Sequence, residues 1–311
     1  PGGEVRWQET WTPPAEPAVY RVEFRLVQAD GLGVADRIEH EFAVLDSRPS
    51  AAADFVRVQD GRFVLRGEPW YPIGVNYWPL YVSGMDAADY WAGWLDQRFY
   101  DPDLVERDLA RLEALGINMV SIQSHDIRFH RNLLDFLRRC APHGIKVNLY
   151  CGLASPLNYQ EEALRTFVET TRLKDNATVF AYDTVWEPGN YVFGRDRARW
   201  DGRWRAWLDE RYGSLAAAEA DWGVRLPRDE KGQAGAPPDK WFREDGEWRV
   251  AMAAYRRFMD DLTSGLWNRA HRGLRQIDPN HLISFRQGNT LPHDFVFTGT
   301  PKHVDFMCPE G

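Results

Sequence analysis

The sequence predicts an α/β fold: an incomplete (β/α)8 TIM barrel, with about six of its strands present, preceded by part of a β-sandwich. Three observations lead there. From residue 71 onward short apolar runs alternate with amphipathic segments, the pattern of strands buried on both faces with helices outside them. The first 50 residues instead alternate apolar and polar with period two. The 311 residues, 44% hydrophobic and 27% charged, are enough for a large core and more than one domain.

In Tyr20 to Val27, Tyr20, Val22, Phe24 and Leu26 share one face while Arg21, Glu23 and Arg25 take the other. Gly31-Leu32-Gly33 is a turn, Ile38 to Leu45 a second strand, and Trp7 to Trp11 offers a third. So few strands make a poor independent domain. Residues 1–50 are therefore expected to be the C-terminal part of an Ig-like β-sandwich, and Ser47 to Ala53 its linker. Residues 55–311 carry the barrel. A hairpin turning at Asp60-Gly61 opens it, and Tyr71 to Asn76 is expected as its first buried strand. Pro102 to Leu115 is helical, its leucines forming one stripe, and Gly116 ends it. Further strands are expected at 117–122, 145–150, 179–185, 281–285 and 303–308. Helices are expected at 133–141, 161–173 and 255–277. The stretch at about 196–250 is charged, mostly helical and broken by a loop at 228–239, so it reads as an insertion.

Composition excludes several roles. A net charge of −8 and a pI near 5.6 argue against nucleic acid or an anionic membrane as partner, since both need a basic face. No apolar run is long enough for a membrane span. No targeting signal is visible, so the compartment stays open between extracellular and cytoplasmic. Cys140, Cys151 and Cys308 fit neither a metal knuckle nor a closed disulfide framework. His125, Asp126 and His130 do not have metal-ligand spacing, and no phosphate loop, dinucleotide fingerprint or serine elbow occurs. No metal or cofactor is expected, and the oligomeric state is open. The 14 tryptophans are the unusual feature. Most suit packing, but flat rings beside strand ends also suit the apolar faces of sugar rings.

The order of motifs resembles the clan of retaining (β/α)8 glycoside hydrolases that includes β-galactosidases, cellulases and mannanases. Arg62-Phe-Val-Leu-Arg-Gly-Glu-Pro-Trp-Tyr-Pro-Ile-Gly-Val-Asn76 looks like that clan's entry hairpin and first strand. Tyr182-Asp-Thr-Val-Trp-Glu-Pro-Gly-Asn190 looks like its fourth, whose end carries Asn-Glu-Pro. Asp278-Pro-Asn-His-Leu-Ile-Ser284 and Val304-Asp-Phe-Met307 resemble the fifth and sixth. Trp204-Arg-Ala-Trp-Leu-Asp-Glu-Arg-Tyr-Gly-Ser214 with Asp221-Trp-Gly223 is similar to an insertion in family 42 β-galactosidases.

The resemblance implies that Glu187 is the general acid/base. The position is apt on physical grounds as well: barrel sites lie at the C-terminal ends of strands, and an apolar neighbour raises a carboxyl pKa toward the range useful for protonating a leaving oxygen. One departure stands out, because Trp186 occupies the place of the clan's Asn, a residue that contacts the sugar 2-hydroxyl. A retaining mechanism also needs a second carboxylate about 5–5.5 Å away. In the clan it ends the seventh strand, so here the nucleophile is expected outside the chain, the chain is expected to be truncated at both ends, and alone it is expected to be inactive. Asn76, Tyr77, Trp78, Gln123, His125, Tyr150, Trp186, Asn190, Arg286 and Glu310 lie at or after strand ends and are candidates for binding an oligo- or polysaccharide, with loop capping as the alternative for each. Two other functions compete: a catalytically inactive carbohydrate-binding barrel, and a lyase or aldolase, which would want a lysine at a strand end or a metal triad, whereas Lys146 lies within the third strand and its neighbours offer no ligand set.

Overall fold

The computed structural model describes residues 6–31, 33–84, 93–124, 126–186, 194–287 and 300–309. It divides into two units, Pro1–Pro49 and Ser50–Gly311.

In the first unit β1 (Ala18–Val27) pairs antiparallel with β2 (Val34–Val44), setting Tyr20 opposite Phe42 and Phe24 opposite Ile38. Gly31, at φ 74°, lets the chain reverse between them. Trp7 to Trp11 is not a strand. Trp11 instead sets its ring edge-on to Phe42, 5.5 Å between centroids, and Tyr20 stacks on Phe42 at 5.4 Å. Aromatic packing thus stands where a third strand was expected.

The second unit opens with a three-stranded antiparallel sheet of β3 (Arg57–Gln59), β4 (Arg62–Leu65) and β5 (Glu68–Pro69). Six parallel strands follow, hydrogen-bonded in chain order: β6 (Gly74–Asn76), β7 (Met119–Gln123), β8 (Lys146–Tyr150), β9 (Val179–Trp186), β10 (Leu282–Gln287) and β11 (Phe306–Pro309). They form the curled wall of an incomplete TIM barrel. The connections are α1 (Pro102–Ala114), α2 (His130–Cys140) and α3 (Glu161–Thr171). After β9 come α4 (Asp201–Tyr212), α5 (Leu215–Trp222), α6 (Asp239–Arg243) and the long α7 (Arg249–Ile277).

Local chemistry sets the helix boundaries. The Asp101 carboxylate accepts the backbone N–H groups of Asp103 and Leu104, and Pro102 starts α1 with φ already helical. Gly116, at φ 76°, turns the chain out of that helix into β7. The segment from α4 to α7 folds around indoles: Trp204, fully buried, stacks with Trp207 and Trp222 and meets Tyr255 and Phe258 of α7. Most tryptophans of this segment therefore pack a core.

The lower end of the barrel is closed by aromatics. Phe63 of β4 lies 5.0 Å from Phe306, while Trp70 meets Phe180 at 5.2 Å. Phe180, Leu282 and Phe306 all come from the N-terminal ends of their strands, so the small antiparallel sheet plugs that end. Close by, a buried polar knot ties the end of α7 to the sheet. The Asp278 carboxylate accepts from the Tyr182 hydroxyl and the His281 ring at 2.7 Å each, and the other ring nitrogen of His281 lies 3.0 Å from the Asn176 carbonyl.

One strand departs from expectation. Tyr71 to Asn76 was expected as a buried strand, but the strand is Gly74–Asn76 alone, with the Ile73 carbonyl accepting from the Asn118 and Met119 N–H groups just before it, and Tyr71, Ile73 and Val75 are exposed. The reason is position: among the described residues β6 is the last strand of the sheet and pairs with β7 alone.

Candidate active site at the C-terminal ends of the strands

Polar residues recur with period two inside apolar strands: Ser121 and Gln123, Asn148 and Tyr150, Ser284 and Arg286, with Asp183 between Tyr182 and Thr184. Period two places each pair on one face of its strand. The register then lines them up across the sheet, with Asn76 beside Ser121, Ser121 beside Asn148, Tyr150 beside Asp183 and Asp183 beside Ser284. Barrel interiors are ordinarily filled by branched apolar side chains. Here the upper layer is a hydrogen-bonded network.

Arg286 is its hub. Its Nη1 donates to the Asn76 Oδ1 at 2.6 Å and its Nη2 to the Ser121 hydroxyl at 2.6 Å, linking β10 to β6 and β7. Nε and Nη2 both reach the Asp183 Oδ2 at 3.3 Å. Asp183 also accepts from the Asn148 amide at 3.0 Å and from the Ser284 hydroxyl at 2.5 Å. Burial pushes the Asp183 carboxyl upward, opposed by the Arg286 charge and by the donors around it. Cys308 completes the layer 3.7 Å from the Asn148 amide, and burial pushes its thiol up to about 12.

Above this network stands an aromatic wall. The Arg286 guanidinium carbon lies 4.2 Å from the Trp186 ring centroid. Trp78 and Tyr150 set their rings edge-on to Trp186 at 6.1 and 5.9 Å. A register slip brings Trp186 here. Ser284 pairs with Asp183, but Arg286 pairs with Trp186, so β9 spends three residues where β10 spends two. Without that extra residue Asp183 and Trp186 would face opposite sides of the strand; the bulge puts both against one guanidinium.

The structure thus brings together Asn76, Trp78, Tyr150, Trp186 and Arg286 from the sequence-derived set. Gln123, buried at the end of β7, joins the same face beside Tyr150. Tyr77 is not brought there. It is 5% exposed, its ring packs on Trp94 and Phe136 under the helices, and its hydroxyl reaches Asp108 at 3.3 Å. Glu187, His125, Asn190 and Glu310 lie outside the described residues. Asp183, Ser121, Asn148 and Ser284 were missed as site residues, although the period-two polar pattern inside apolar runs was legible. Lys146 begins β8, at the opposite end of the barrel. Its Nζ donates to the carbonyls of Asp54 and Ala177, and burial lowers it to about 8. That place removes it from the strand ends where a lyase or aldolase would need it. Among the described residues no His, Cys, Asp and Glu cluster could hold a metal, and no helix is long and apolar enough to cross a membrane.

No family model matches the sequence, and no curated protein matches it. Solved structures do resemble the fold. A β-galactosidase from the haloarchaeon Halorubrum lacusprofundi superposes with a TM-score of 0.51 at 16% identity, covering 68% of this chain and 38% of its own. The β-galactosidases of the psychrophilic Marinomonas ef1 and of Bacillus circulans sp. alkalophilus each give a TM-score of 0.50, at 14% and 15% identity, covering 78% of this chain and 40% of theirs. The chain therefore spans about two-fifths of the length of these galactosidases, and at such identity the likeness establishes the fold.

Proposed function

We propose that this barrel is a glycoside hydrolase module that cleaves β-glycosidic bonds by a retaining two-carboxylate mechanism. Glu187 is the general acid/base and the wall of Trp78, Tyr150 and Trp186 receives the sugar ring. The observation that carries the reading is the aromatic wall over a polar barrel interior, at the strand end that leads directly into Glu187. Glycosidase chemistry asks for an apolar platform for the ring, and for a carboxyl whose pKa is raised so that it can protonate the departing oxygen. The fold likeness to β-galactosidases makes β-linked galactosides the first substrates to try. Asp183 is committed to Arg286, Ser284 and Asn148, so it is a poor nucleophile. The second carboxylate of the pair is not among the residues gathered at the described site.

Trp186 in place of the clan's Asn favours a second reading, a carbohydrate-binding barrel without catalysis. One variant separates the two. In the full-length gene product, Glu187→Gln should lower hydrolysis of an aryl β-D-galactoside by roughly a hundredfold or more while galactose binding persists. Binding without hydrolysis in the unaltered protein would establish the second reading instead.

A further inference from the structure

We propose that Asp183 is a positioning residue: it fixes the Arg286 guanidinium in one plane and so sets the face that Trp186 presents to the site. Four donors, Asn148 Nδ2, Ser284 Oγ, Arg286 Nε and Arg286 Nη2, converge on its two oxygens. The Asp183 side chain is wholly buried and that of Arg286 is 9% exposed. Desolvating such a pair is expensive, and an apolar pair of similar volume would serve packing as well or better. What the ion pair supplies and an apolar pair does not is direction. Asn76 and Ser121 hold the outer nitrogens, Asp183 holds the inner edge, and the flat face left over lies against the Trp186 indole. The bulge in β9 is what allows Asp183 and Trp186 to meet the same guanidinium.

This inference rests on the glycosidase reading for what the wall receives, but its geometry can be tested without any substrate. The emission of Trp186 is isolated as the difference between proteins with and without Trp186→Phe. It is compared with Asp183 intact and in Asp183→Asn, which keeps the shape but sets an NH2 donor among donors. The Trp186 component should become roughly twofold or more as accessible to acrylamide quenching once its cation is no longer held in place. An unchanged Trp186 component in a folded Asp183→Asn protein would overturn the proposal. Should that variant fail to fold, Arg286→Lys is read the same way: the ammonium keeps the charge but cannot span Asn76, Ser121 and Asp183 in one plane. No change in quenching there would be equally fatal. A parallel titration with D-galactose tests the other reading. If the unaltered protein does not bind it, the sugar site falls, and the quenching result still decides the role of Asp183.

Discussion

The Arg286 guanidinium carbon lies 4.2 Å from the centre of the Trp186 ring, and the same guanidinium is bonded to side chains from three other points on the sheet. A cation held from behind and capped by an indole makes a rigid corner, and a rigid corner loses little entropy when a ligand docks on it.

The wall should therefore be sensitive to truncation. Trp78→Ala removes a ring that braces Trp186 and should weaken galactose binding by about tenfold, on the order of 1 kcal/mol. Tyr150→Phe keeps the ring and should cost much less. Isothermal titration of both variants checks the contrast; equal losses would place the sugar elsewhere.

Gly74 is a steric requirement of β6. A Cβ built there stands 2.7 Å from the Met119 carbonyl oxygen, a backbone atom that cannot swing aside. Gly74→Ala should destabilise the barrel by roughly 1–3 kcal/mol in denaturant unfolding. No change in the unfolding midpoint would mean that β6 is free to shift away from β7.

The buried knot at the base of the barrel predicts an acid limit. Burial alone would raise the Asp278 carboxyl, but the His281 charge and the hydrogen bonds from His281, Tyr182 and the Asn280 N–H hold it at about 2. A depressed folded value gives stability that is full above the unfolded value near 4 and is lost as pH falls toward 2, worth roughly 2 kcal/mol. Asp278→Asn should flatten the stability curve between pH 4 and pH 2 relative to the parent, as followed by thermal melting across that range.

His143 predicts the opposite slope. Hydrogen bonding to Glu113 raises its pKa, burial opposes this, and bonding to Glu106 adds to it. A raised folded value means that the contribution is full below the unfolded value near 6.5 and disappears as pH rises through the folded one. Because both carboxylates are about half-exposed, the pair is worth about 0.5–1 kcal/mol. His143→Gln should lower the melting temperature at pH 5.5 and scarcely at pH 9.

Much of the architecture was legible in the sequence because period and length are backbone properties. The leucine stripe of α1, the glycine after it and the apolar runs of β7, β8 and β9 all appear where the patterns put them. Trp7 to Trp11 failed because a short aromatic-bearing segment near a strand reads the same whether it pairs with that strand or packs its rings onto it. Tyr71 to Ile73 failed because an apolar run looks the same at the edge of a sheet as in its middle. At the site, strand ends pointed to Asn76, Trp78, Tyr150, Trp186 and Arg286, while Tyr77 faces the helices because it alternates with its two neighbours. The partners of Arg286 were missed for a different reason. A serine or asparagine inside an apolar strand carries no sign of what it meets until the register between strands is known.

The additional residue in β9 has a consequence for how this segment tolerates change. Along an unbroken strand, inward and outward positions keep one parity from end to end. Here the parity reverses between Asp183 and Trp186, so even and odd positions exchange environments partway along the same eight residues. Positional alignment of this strand with a regular one will match at one end and fall out of step at the other. Correspondences along this strand are then a question of spatial superposition rather than of counting residues.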